Sequence, residues 1–340
     1  MLTPARIAIR PLAVVVLTSA ALAQGSRPVT EAERFRIAAD YSTQRLGVAM
    51  LVMKGDKIEF EQYAIDAGHD LPWVLASGTK SFSGVMLAAA IEDKLISGFD
   101  EKVADTITEW KTDKRKSQIT LRQLLSLTSG IEAGQIGLVP TYAEAIRRPA
   151  VHEPGTKFEY GPVPFQIFGE VMTRKLKPKN ETVISYLRRR ILDPIGLNVA
   201  YWRMSEGQPL LPQGATLSAR EWAKFGLLLK NRGKWNGKQI IDGKLLAELT
   251  RGSAVNPAYG LTFWLNAAGI GSSGGERPGL LSGNAVAAES PDGQADVYMA
   301  AGAGNQRLYI IPSQDLVVVR FGAFGGYDDR EFLSKLLKGK

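Results

Sequence analysis

Cysteine is absent and histidine occurs only twice, at His69 and His152. The first absence excludes a disulfide framework, a thiolate nucleophile and a thiolate metal site. The second leaves mechanisms that need an imidazole base with little to work with, and without an H-E-x-x-H pattern a zinc peptidase has a poor ligand set. Each histidine suits a surface or capping position better than a catalytic one. Internal repeats and long linkers are lacking too. The composition, 45% hydrophobic and 22% charged over 340 residues, is not that of a disordered chain. It provides for a sizeable core in one large domain or two interleaved ones. Six tryptophans (Trp73, Trp110, Trp202, Trp222, Trp235 and Trp264) are too scattered for a cofactor box and suit core or cleft wall.

The first residues read as a targeting segment. Arg6 and Arg10 make a basic start, residues 12–22 are apolar, and Ala21-Leu22-Ala23 offers a small-x-small cleavage site. The expectation is a signal peptide over residues 1–23, an exported, periplasmic protein and no stable membrane span after removal. The apolar run is shorter than the ~20 residues of a spanning helix, and no later segment could span. The formal charge of +8 falls to +6 when Arg6 and Arg10 leave, since no acid precedes the cut. Basic clusters at 111–116, 174–179 and 188–190 lack the interleaved aromatics of a single-strand groove, so nucleic acid is not an expected partner.

Periodicity outlines the organisation. Residues 32–44 suit a helix, and 46–53 and 57–64 read as strands joined at Lys54-Gly55-Asp56 into a hairpin. From Ser77 the spacing turns helical, with Val85, Leu87, Ala88, Ile91 and Leu95 recurring, and the chain stays mostly helical to about Trp202. Residues 119–127 and 183–191 are its clear amphipathic pieces. Strands return at 259–265, 307–311 and 316–321, and a helix closes the chain at 329–337. Strands at both ends and helices between predict an α/β fold of the α+β type. Its antiparallel sheet, flanked by helices, is built from both termini (24–76 and 203–340), with a mostly helical domain inserted at 77–202.

Two glycine-rich matches lack their setting. Gly271-Ser272-Ser273-Gly274-Gly275 fits G-x-S-x-G, but Glu276-Arg277-Pro278-Gly279 breaks the helix that a nucleophile elbow needs, and both histidines lie upstream. Residues 269–274 fit G-x-G-x-x-G without opening a helix. A nucleophile activated without histidine remains. Ser77-Gly78-Thr79-Lys80 is an S-x-x-K match where a loop becomes an apolar helix. There the Ser77 N–H is free at a helix start that favours a developing anion. Lys80 is one turn on, within reach of Ser77 on the same face. Burial would push an ammonium toward its neutral form, able to take the Ser77 proton. The same residues equally suit a helix cap followed by a solvated lysine.

Ordered segments carry a broader resemblance: ASGTKSF around Ser77, ITLRQLLSLTSGI at 119–131, EPGTKFEYGP at 153–162, LDPIGL at 192–197, LSAREWAKFGLLLKNRGKWNGKQII at 217–241, YGLTFWL at 259–265 and LYIIPSQDLVVVRFG at 308–322. With these the chain resembles the serine β-lactamase and D-alanyl-D-alanine carboxypeptidase superfamily, in particular its class-C-like branch of esterases and 6-aminohexanoate-dimer hydrolases. The resemblance implies a serine hydrolase acting on a small ester, amide or peptide-like substrate, with no metal or organic cofactor. It makes Ser77 the acyl-accepting nucleophile, Lys80 its activating partner and Tyr160 the tyrosine of a Y-x-N motif. Met299-Ala300-Ala301-Gly302-Ala303 matches the K-T-G or H-x-G region, so Ala303 beside Gly302 would supply the second oxyanion-hole N–H next to that of Ser77. Trp73, four residues before Ser77, and Gly302 are candidate substrate-pocket residues.

Two departures count against β-lactams and D-Ala-terminated peptides. Pro162 replaces the motif asparagine and offers no side-chain amide or backbone N–H. Ala300 replaces the lysine or histidine of the third motif, leaving Arg307 as the cation that could swing toward a substrate carboxylate. The same departures keep open a second reading, a catalytically inactive module that binds cell-wall fragments or a periplasmic protein.

Overall fold

The computed structural model describes residues 27–64, 68–266 and 296–340. The expected signal segment and both glycine-rich matches lie outside them. Helix α1 (Glu31–Gln44) opens on a capping box in which Thr30 and Glu33 exchange hydrogen bonds. Strands β1 (Gly47–Lys54) and β2 (Lys57–Tyr63) pair antiparallel with Lys54 opposite Lys57, the hairpin expected from the Gly55 turn. After β3 (Trp73–Val74) a 3-10 turn, Ala76–Lys80, runs into α2 (Ser81–Glu92), so the stretch read as helix from Ser77 starts more tightly wound. Short α3 (Leu121–Leu125) and α4 (Tyr142–Ala145) precede α5 (Val163–Leu176) and α6 (Val183–Leu187). The helix expected at 183–191 widens into a π turn after Leu187.

The chain then forms β4 (Tyr201–Trp202), the hairpin β5 (Met204–Ser205) and β6 (Gln208–Pro209), and β7 (Ala215–Leu217). Helix α7 (Ala219–Lys230), hairpin β8 (Lys234–Trp235) and β9 (Lys238–Gln239), and α8 (Gly243–Ala247) follow. The last elements are β10 (Trp264–Leu265), β11 (Tyr298–Gly302), β12 (Gln306–Ile311), β13 (Leu316–Gly322) and α9 (Asp329–Lys338). The strand expected at 259–265 shrinks to β10. Thr262 sits at a left-handed φ of 75°, and Tyr259 bridges Trp264 across the resulting bend.

The main sheet runs β10-β11-β12-β13-β1-β2 with every neighbouring pair antiparallel. Its two ends come from the two ends of the described chain. Strand β13 is buried at all seven positions, which is why it reads as a nearly unbroken apolar run. Alternation assigns its faces. Leu308 and Val317 press on Gly226 of α7, and Phe321 stacks on Trp222 of α7. Tyr309 stacks on Phe332 of α9, and Arg320 reaches Ser42 of α1. Helices α1 and α9 therefore cover one face and α7 the other. A small second sheet, β3-β7-β4, sits beside the 3-10 turn. No helix among the described residues is long and apolar enough to cross a membrane.

Candidate active site

The turn that carries Ser77 is fastened from several sides. Leu75 N–H donates to Ala215 O at 3.0 Å, Gly78 N–H to Leu75 O at 2.9 Å, and Thr79 Oγ1 accepts from Ala215 N–H at 3.2 Å. Trp222 closes over Gly78, where a Cβ would stand 2.8 Å from the indole. Ala76 is held at φ 47°, a left-handed conformation that L residues adopt at a cost and that the surrounding contacts must impose. Ser77 is left half-buried, with an N–H at the start of a 3-10 turn and hence no acceptor within it.

Lys80 is the feature that decides what this turn can do. It is 4% exposed, and its Nζ lies 2.9 Å from Ser77 Oγ and 3.0 Å from Pro212 O. The rings of Tyr160 and Phe165 flank the amine at 5.0 and 5.3 Å from their centroids. Among the described residues no carboxylate pairs with it. Burial without a counter-charge lowers its pKa from the ordinary 10.5 to about 7. The solvated-lysine alternative is excluded by this placement.

Tyr160 approaches from the other side. The loop before α5 positions it: Glu159 N–H donates to Leu127 O at 2.9 Å, Val163 N–H to Ala133 O at 3.1 Å, and a Cβ on Gly161 would strike Ala133 O at 2.1 Å. Burial pushes the phenol up to about 12, opposed by its hydrogen bond with the Ser77 side chain and by the positive charge of Arg307. Its ring packs on Trp264 (5.6 Å between centroids) and edge-on to Tyr259 (6.2 Å). Sequence reasoning placed Trp264 no more closely than core or cleft wall and gave Tyr259 no role of its own, because both lie some hundred residues downstream.

Gly302 ends β11 directly against the serine turn. A Cβ there would meet Leu75 O at 2.0 Å and Gly78 N at 3.0 Å, so only glycine permits this approach. Ala303 follows it, and Ala300 is buried one alternation back on the same face. Pro162 has a local reason: it caps α5, where its missing N–H leaves no donor unsatisfied. Trp73 lies half-buried on β3 opposite Leu217 and packs against the core. Arg307 does not swing toward the cleft. Its guanidinium lies on the α9 face, 2% exposed and held on both Asp329 oxygens at 2.7 and 3.0 Å. Both histidines pair near the surface, His69 with Asp70 and His152 with Glu159 and Lys157.

A sequence model of the Beta-lactamase family matches residues 36–329. No curated protein matches the chain in sequence. Solved structures share the fold at low identity. A Bacillus anthracis protein provisionally named a 6-aminohexanoate-dimer hydrolase is 18% identical over 88% of this chain and 79% of its own, with a TM-score of 0.67. EstCE1, a hydrolase with promiscuous acyltransferase activity, is 15% identical over 90% of this chain and 98% of its own, TM-score 0.65. A D-stereospecific amidohydrolase from Streptomyces sp. is 17% identical over 92% and 99%, TM-score 0.63.

Proposed function

The chain belongs to the beta-lactamase family, and we propose that it is a serine hydrolase that forms an acyl-enzyme through Ser77 and hydrolyses an ester or a linear amide. The observation that carries this is the 2.9 Å contact between Ser77 Oγ and an amine buried without a carboxylate. In its neutral form, which gains ground as pH passes about 7, Lys80 keeps an N–H on Pro212 O and turns its lone pair to the Ser77 proton. Ser77 Oγ bonds to the substrate carbonyl carbon as that proton moves to Nζ. The N–H groups of Ser77 and Ala303 receive the carbonyl oxygen as it becomes an oxyanion. Tyr160, protonated at neutral pH, then passes its proton to the departing alkoxide or amine and is reprotonated through Lys80. Water releases the acyl group by the same route in reverse.

In this reading Lys80, brought toward its neutral form by burial, is the base, and Tyr160, pushed up by burial, is the proton donor. Activity therefore rises as pH passes about 7 and Lys80 loses its proton. The substrate is uncharged around its carbonyl, because Ala300 provides no cation and Arg307 is committed to Asp329. A hydrolase with promiscuous acyltransferase activity and a D-stereospecific amidohydrolase share the fold, which supports an ester or amide as the substrate class.

Hydrolysis of p-nitrophenyl esters by the mature protein and by Ser77→Ala tests the reading, with fluorophosphonate labelling of both. Loss of turnover and of labelling in the variant is expected, and equal turnover or labelling refutes it. The binding-module reading rests on Pro162 and Ala300 and is removed by turnover that depends on Ser77. Export to the periplasm is part of the same proposal, carried by the basic and apolar start of the sequence; finding the full-length, uncleaved chain in the cytoplasmic fraction would remove it.

A further inference from the structure

Arg307 makes two bonds that charge balance does not require. Nε and Nη2 take the two Asp329 oxygens, while Nη1 reaches back over the β11–β12 turn to Gly302 O at 3.2 Å and Gln306 O at 3.0 Å. Asp329 is itself fixed by the Tyr309 hydroxyl, which meets the Tyr327 hydroxyl at 2.7 Å. A buried ion pair of this kind adds little stability over an apolar replacement, so stability alone does not account for it. The bond to Gly302 O does. Gly302 C=O and Ala303 N–H belong to one peptide group, and in a planar trans peptide they point in opposite directions.

Resting on the acyl-enzyme reading above, we propose that the Arg307–Asp329 pair is a positioning device for the oxyanion hole: by holding Gly302 O it aims and polarises the Ala303 N–H. The oxygen is drawn toward β12, which turns the N–H toward the opposite edge of β11. Strand β10 pairs there only with Tyr298 and Met299, and among the described residues nothing pairs with that edge at Gly302. Tyr160 packs on Trp264 at this same edge, so the N–H faces the space beside the nucleophile. A guanidinium on the carbonyl oxygen also draws electron density from the amide and strengthens the N–H as a donor. Arg307 and Asp329 touch no substrate and act on the hole through this peptide, apart from the charge that Arg307 projects on Tyr160.

The test compares a p-nitrophenyl ester with its thionoester, whose sulfur accepts hydrogen bonds poorly and draws little help from the hole. The double variant Arg307→Met/Asp329→Asn removes both charges together, and fluorophosphonate titration corrects for active fraction. Its kcat for the oxygen ester should fall about 10- to 30-fold with little change in KM, less than the 10²–10³ that follows outright loss of a donor. The thionoester rate should change little, so the oxygen-to-sulfur ratio collapses, and Arg307→Lys should restore part of it. Equal loss on both esters means a merely structural role and overturns the proposal.

A second readout needs no turnover. With alanine labelled in the backbone, the Ala303 amide proton should move upfield in the double variant while other alanine amides hold, and an unmoved Ala303 signal overturns the proposal. If the double variant does not fold, an unchanged ratio and amide shift in Arg307→Lys overturn it instead. Turnover that survives Ser77→Ala would sink the acyl-enzyme reading and leave the amide measurement standing on its own.

Discussion

Lys80 and Arg307 are both cations withdrawn from water, at 4% and 2% exposure, and the protein treats them in opposite ways. Arg307 lies beneath β11 and β12 with both oxygens of Asp329 around it. Burial would pull its pKa down, but the Asp329 charge more than reverses this and holds it above the ordinary arginine value. Lys80 has a serine hydroxyl, a carbonyl oxygen and two aromatic rings, none able to neutralise an ammonium. One cation is kept permanently charged and serves as scaffold. The other is kept near the point of losing its proton and so can exchange it. Ion-pair partners, rather than burial, separate the structural cation from the reactive one.

Removing the reactive cation should have the largest effect. Lys80→Met keeps the length and apolar packing of the side chain but, in the proposed mechanism, leaves Ser77 without a base. General-base loss at the upper end of its range lowers kcat for a p-nitrophenyl ester by about 10⁴-fold. Circular dichroism should show an intact fold, and a variant within tenfold of wild type would make Lys80 structural too. Breaking the scaffold side comes next. Asp329→Asn leaves the Arg307 charge buried without a counter-ion, which costs about 3–5 kcal/mol of stability by urea unfolding. A loss under about 1 kcal/mol would mean that the carbonyls around Arg307 suffice.

The contrast was half visible in the sequence. Ser77 and Lys80 are three residues apart, so their meeting is a local matter of helix geometry, and the turn at Gly55 fixed the first hairpin in the same way. What buries Lys80 is not local: Pro212 and Phe165 come from segments 132 and 85 residues further on, and no periodicity announces that they converge. Arg307 was open to misreading for another reason. Alternation shows that Arg307 and Leu308 face opposite sides of a strand, but only the positions of α7 and α9 decide which side is the cleft. The bend at Thr262 was hidden because a left-handed threonine contradicts the strand propensity of the residues around it. Tyr160 was reached through resemblance, since an aromatic before a turn carries no chemistry by itself.

The smallest effect is thermodynamic and bears on the comparison most directly. Lys80 has a folded pKa of about 7 against an ordinary 10.5 in the unfolded chain. Below pH 7 both states hold the proton, and the folded state carries the full cost of a buried ammonium. Between about 7 and 10.5 the unfolded state holds a proton that the folded state has lost, so stability rises with pH. The slope is one proton's worth, about 1.4 kcal/mol per pH unit, and it vanishes above 10.5 where both states are neutral. Other groups titrate over the same range, so the informative quantity is the difference between wild type and Lys80→Met in urea unfolding from pH 6 to 9.5. The wild type should start as the less stable of the two and gain on the variant by about 1.4 kcal/mol per unit between pH 8 and 9.5. Parallel curves would mean that Lys80 keeps its proton in the folded state, as Arg307 does, and the distinction between the two cations would fail.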